Sequence, residues 1–137
     1  MVTRSAALAA IIWPLGVLLS WGYDPSWLST LHSSLGTLKP VTVLSVLSCG
    51  LALWLLADEA AVTPMRRRCA QAAATVACLL AGFTLVEYVF DINIGVDLWL
   101  MRDAGFDAAA HPGRMAPLTA CVTLLLSLAL LTLDWPV

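Results

Sequence analysis

The chain has 137 residues, of which 61% are hydrophobic and only 12% charged, with seven Lys+Arg against nine Asp+Glu. Soluble domains run at about 45–50% apolar and about 25% charged, so this composition belongs to the membrane class. A net charge of −2 with no basic face argues against nucleic acid as a partner.

The first apolar run covers about 6–22. A short basic start (Arg4) precedes it, but no small-x-small cleavage site follows "VLLSWGYD", so it reads as a retained helix rather than a secretion signal. Pro14 removes a backbone donor, and a kink is expected there. Next, Asp24 followed by Pro25 has the form of an N-cap with proline at the first helical position. Trp27, Leu28 and Leu31 then share a face opposite Ser26, Ser29 and Ser33, which predicts a short helix lying on the outer leaflet. Gly36 permits a sharp turn, and Pro40 stands where the second run, about 40–57, begins.

The link at 58–69, "DEAAVTPMRRRC", sets Arg66, Arg67 and Arg68 against the third run at about 70–90. Beyond it, Asp97 would cap a second interfacial helix. Trp99, Leu100 and Phe106 would dip into lipid while Asp103 and Asp107 stay wet. Gly113 and Pro117 repeat the turn ahead of the fourth run, about 117–133.

Each run is near the ~20 residues a helix needs to cross a bilayer. None alternates with period two, which excludes a membrane barrel and leaves helices. The triple arginine and Arg4 outweigh Lys39, Arg102 and Arg114, which are diluted by acids. The positive-inside rule therefore predicts a multi-pass protein of the bacterial inner membrane with both termini cytoplasmic. Trp21, Trp27 and Trp99 on one side, with Trp54 and Trp135 on the other, suit interfacial belts.

A shift of 77 residues superposes "SLGTLKPVTV" (34–43) on "HPGRMAPLTA" (111–120), placing Gly36 on Gly113, Pro40 on Pro117 and Thr42 on Thr119. Upstream, "WGYDPSWL" and "IGVDLWLM" share Gly-x-Asp. The expectation is an all-α, four-helix membrane bundle made of two tandem hairpin repeats, about 6–58 and 70–135, joined by the cytoplasmic linker 58–69.

These elements carry a resemblance. The order Gly-x-Asp-hydrophobic, "HPGRMAPLTA", Leu-rich helix resembles the N-terminal membrane region of bacterial sensor histidine kinases and PAS/GGDEF-type diguanylate cyclases. "LVEYVFDINIGVDLWL" (85–100) and "TLKPVTVLSVLSCGLALWLL" (37–56) are similar to the corresponding stretches there, over about residues 10–133. Val41 and Leu118 depart from that pattern, standing where asparagine is expected. The resemblance implies a sensory input domain that relays a stimulus through helix four, past Asp134 and Trp135, to a cytoplasmic output, and that works as a homodimer. The competing readings are an accessory subunit of a larger membrane assembly and a haem-binding membrane module.

The residues that could carry chemistry are few. His32 and His111 both stand on the outer side and could ligate haem b or a metal ion. Two separate interfacial histidines explain them more simply, and no cofactor is required. Glu87 lies about one turn inside the third run, with Asp91 four residues on. An ionisable group in a span needs a named partner, and Arg114 or Arg102 would serve. Glu87, Asp91, His111 and Arg114 are accordingly the candidates for ligand or proton sensing. Ala74, Cys78 and Gly82 (with Ala70) form a small-residue stripe suited to close helix packing. The four cysteines have no metal-ligand spacing, and there is no nucleophile elbow, phosphate loop or HExxH, so an enzyme is not expected.

Overall fold

A computed structural model describes residues 2–22, 39–57, 63–92 and 114–133. These form four α-helices and no strand: α1 Val2–Gly22, α2 Pro40–Leu56, α3 Pro64–Phe90 and α4 Pro117–Thr132. Both predicted interfacial helices lie outside the described residues, as do Gly36 and Gly113.

The helix starts follow from local chemistry. Pro40, Pro64 and Pro117 each stand in the first helical turn, where a missing N–H leaves nothing unpaired, and the residue before each is extended. The α3 helix begins at Pro64, inside the stretch read above as linker. The Thr63 side chain accepts a hydrogen bond from the Arg66 backbone N–H (3.3 Å), an N-cap that extends the helix through the three arginines.

Packing runs α1 on α2, α2 on α3 and α3 on α4, with a smaller face between α2 and α4. The central position of α2 explains why it buries two sets of residues. Val41, Ser45, Cys49 and Ala52 form one set, and Val43 and Gly50 lie on the helix beside it. The buried stripe of α3 is Ala70, Ala74, Ala77, Ala81, Thr84 and Glu87. Its steps of four and three average near 3.5, the period that keeps a seam facing its neighbour. The predicted i, i+4 row therefore drifts off the contact. Ala74 stays buried, Cys78 is half-buried, and a Cβ built on Gly82 would meet nothing within 4 Å.

The close approach is instead at Gly50. A Cβ there would lie 3.0 Å from the carbonyl carbon, the oxygen and the Cβ of Ala10. Pro14, inside a continuous and uninterrupted α1, removes the N–H that would have bonded this Ala10 carbonyl. With hydrogen in place of Cβ, Gly50 brings the α2 backbone directly against that freed acceptor.

The distribution of side chains is inverted relative to a water-soluble protein. Many buried positions are small or polar: Ala7, Ala52, Ala70, Ala77 and Ala81, with Ser45, Thr84, Thr123 and Ser127, beside a few larger apolar ones such as Met115, Val41 and Leu130. Large apolar side chains face outward instead, among them Ile12, Trp13, Leu19, Val76, Phe83, Val89, Leu118 and Leu125. The buried hydroxyls of Ser45, Thr84 and Ser127 donate to carbonyls of their own helices (Val41, Leu80 and Leu124, at 2.7–2.9 Å), so they pack as small groups and not as interhelical links.

Candidate functional site

The end of α3 and the approach to α4 build one buried polar site. Glu87 falls on the α3 stripe as the last member of the series and is therefore turned inward, not to solvent. Phe90 ends the helix, and Asp91 follows in the left-handed conformation (φ 50°, ψ 36°), which turns the chain out of the helix axis.

The chain returns at Arg114. Residues 114–116 run into α4 as a short non-helical strap, with Ala116 extended as its N-cap. Arg114 and Met115 are both buried. Met115, fully inaccessible, joins Val41 of α2 and Ala120 of α4, with Leu80 and Leu85 of α3 packed against them. The Ala120 N–H then donates to the Ala116 carbonyl at 2.9 Å, so α4 starts directly from the strap.

The contacts described for the Arg114 guanidinium are with the last turn of α3 and the residue just beyond its cap. Its Nε lies 3.2 Å from Oε2 of Glu87, with the two side chains 3% and 2% exposed. Its Nη2 donates to the Ile92 carbonyl at 2.9 Å. Its carbon centre stands 5.1 Å from the centroid of the half-buried Tyr88 ring. The Nε–Oε2 approach is an ion pair between two buried side chains. A guanidinium suits this position because one planar group serves a carboxylate, a carbonyl and a ring face together. Lying at the C-terminal end of α3, it also meets the negative end of the helix dipole.

Of the residues singled out from sequence, the structure thus brings Glu87 and Arg114 together, the first of the two pairings considered. Asp91 is exposed, four residues beyond Glu87. His32, His111 and Arg102 lie outside the described residues, so the haem and metal readings rest on positions the structure does not describe. Among the described residues no group of three His, Cys, Asp or Glu could hold a metal ion. Arg66 and Arg67 are half-buried and Arg68 exposed at the start of α3. Sequence reasoning missed Met115 and the Ile92 carbonyl. A methionine in a polar turn, placed beside an arginine, was the available signal for the first; a backbone acceptor leaves none.

A second feature lies at mid-height between α1, α2 and α4. It is an apolar groove of about 90 Å³ bordered by Ala10, Cys49, Gly50, Thr123, Leu126 and Leu130, among others.

By length and composition, Pro64–Phe90 can cross a membrane; Thr3–Leu19, Pro40–Leu56 and Pro117–Thr132 are shorter apolar helices. No protein-family profile, no curated protein and no solved structure matches the chain.

Proposed function

We propose that the chain is a four-span membrane domain that acts as the sensory input of a bacterial signal-transduction protein. The inverted side-chain distribution carries the membrane part of this reading. Outward leucine, valine and phenylalanine with inward alanine, serine and threonine suit a lipid solvent. In lipid there is no hydrophobic force between helices, and small residues at the seams give close packing instead. In water the same surface would be an extended aggregation hazard. At 1.5 Å per residue, α2 and α4 (17 and 16 residues) are about 25 Å long. That is slightly short of a ~30 Å hydrocarbon core, a mismatch the bilayer accommodates by local thinning.

The sensory part is supported by the resemblance of the motif order, and by a buried ion pair placed where α4 is held to α3. Ionisable groups at membrane depth are costly and by default suggest function. In this reading a stimulus on the outer side moves α4, which passes the motion to a cytoplasmic output.

The test is a chimera of the full chain with a diguanylate cyclase fused after Val137 through a helical linker lengthened one residue at a time. Expected are carbonate-resistant membrane fractionation and cyclic-dinucleotide output that oscillates with linker length at about 3.6 residues per turn. A chain found in the soluble fraction sinks the membrane reading, and output independent of linker phase sinks the relay.

A further inference from the structure

We propose that the groove between α1, α2 and α4 binds a neutral lipophile carrying one hydrogen-bond acceptor, with the Thr123 hydroxyl as the donor. The site rests on the membrane reading above and names the chemical class of stimulus that the sensory reading calls for. Three observations carry it.

First, the groove follows from how the helices meet. Both α1 and α4 pack on α2, and among the described residues they form no seam with each other. The gap between them is floored by Val46, Cys49 and Gly50 of α2 and flanked by Ala10 of α1 and Leu126 of α4. Its volume is about 90 Å³. An apolar cavity of about 150 Å³ takes up benzene, so this space holds a short stretch of hydrocarbon and not a helix.

Second, the lining contains one polar side chain that lacks a partner. Thr123 is 5% exposed and borders the groove. The buried hydroxyls of Ser45, Thr84 and Ser127 each donate to a carbonyl of their own helix. Among the described residues the Thr123 hydroxyl has no such bond. An apolar setting makes an unbonded hydroxyl costly, and hydrocarbon offers no water to relieve it. The missing partner then falls to whatever fills the groove.

Third, the rest of the lining sets the polarity of that partner. The Ala10 carbonyl, freed by Pro14, already has Gly50 against it, which leaves the Thr123 hydroxyl to meet a ligand. A ligand hydroxyl or amide would bring in a further unmet donor, and an ion would find no counter-charge in this lining. A bare acyl chain, or an apolar side chain of a second copy, fills the volume but leaves Thr123 unbonded. A chain with a single acceptor, such as an aliphatic ketone, satisfies both. An occupant here touches α1 and α4 together and so sets their spacing, and α4 is the helix of the proposed relay.

The experiment uses the full chain in vesicles of ether-linked phosphatidylcholine and phosphatidylglycerol, which lack ester carbonyls, with dihexyl ketone as the probe. The native chain should give a second ketone carbonyl band in the infrared, lowered in frequency by hydrogen bonding and saturating at an equimolar ratio. The hydrocarbon n-tridecane, the same chain without oxygen, should displace it at about two- to tenfold higher membrane concentration, the range for one neutral hydrogen bond. Thr123→Val should remove the band and Thr123→Ser should retain it. The site is overturned if the native chain gives no shifted band, if the band survives in Thr123→Val, or if tridecane leaves it in place. The tridecane arm holds whether or not Thr123→Val folds. A native chain without the band assigns the groove to a second copy where cross-linking gives a dimer, and to an acyl chain where it does not; both overturn the proposal. Failure of the membrane reading shows separately, as a chain that does not float with the vesicles. Failure of the sensory reading shows as ketone binding that leaves the output of the cyclase chimera unchanged.

Discussion

The guanidinium of Arg114 lies 3.2 Å from the carboxylate of Glu87, with neither side chain more than 3% exposed. The two residues stand on different sides of a long connection, and the pair defines how α4 begins relative to how α3 ends. Removing one partner leaves the other charge buried, which costs about 3–5 kcal/mol, whereas removing both is often close to neutral. Glu87→Gln should therefore destabilise the domain by about 3–5 kcal/mol, and Glu87→Leu/Arg114→Met should return to within about 1 kcal/mol of native. Unfolding in mixed micelles titrated with SDS measures both. A Glu87→Gln variant as stable as the native chain would mean that the Arg114 charge is held by its other contacts, the Ile92 carbonyl and the Tyr88 ring among them.

Met115 is the largest fully buried side chain among the described residues. It sits where three helices converge, packed with Val41 of α2, Ala120 of α4 and Leu80 and Leu85 of α3. Met115→Ala should cost about 2–5 kcal/mol by the same titration, and Met115→Leu less than about 1.5 kcal/mol, because volume rather than sulfur is what the site uses. An alanine variant within about 0.5 kcal/mol of native would show that the strap is not anchored here.

Much of this arrangement was legible in the sequence because it depends on local chemistry. Continuous apolar runs without period-two alternation identify helices, and proline after an extended residue fixes where α2 and α4 start. A glutamate inside an apolar run demands a cation, and the first arginine considered is the one found. What was not legible depends on which neighbour each face meets. A row of small residues spaced by four looked like the α3 seam. Packing follows a mean step near 3.5, however, which retains Ala74 and leaves Gly82 in open space. The extra first turns of α3 were missed because arginines at the edge of an apolar run read as linker, although Thr63 and Pro64 spelled out a helix start. Tertiary partners of backbone groups, such as the Ile92 and Ala10 carbonyls, leave no signature in composition at all.

Two glycines separate close approach from mere tolerance. Gly50 faces Ala10 at a distance where a methyl group would have three atoms at 3.0 Å, two of them backbone, so relief requires the helices to part. Gly82, in the helix that shares the longest seam, has nothing within reach. Gly50→Ala should destabilise the α1–α2 pairing by about 1–3 kcal/mol, the usual range for overpacking. Gly82→Ala should be neutral or stabilising by up to about 1 kcal/mol, because it improves helix propensity without a clash. Measured side by side, a Gly50→Ala variant no worse than Gly82→Ala would refute the close crossing at Ala10.

Asp91 is the one described non-glycine residue with positive φ, at 50°. Two local terms disfavour an aspartate there: a Cβ in the left-handed region costs about 1–2 kcal/mol, and a carboxylate at a helix C-terminus opposes the dipole by about 0.3–1 kcal/mol. Asp91→Asn removes only the second and should stabilise by about 0.5 kcal/mol. Asp91→Gly removes both but adds chain entropy to the unfolded state, for a net gain of about 1 kcal/mol. The order glycine, asparagine, aspartate in decreasing stability is therefore expected in the SDS titration. A reversed order would mean that the exposed carboxylate holds the segment that follows it, and Asp91 would then belong with Glu87 and Arg114 in the machinery that sets α4.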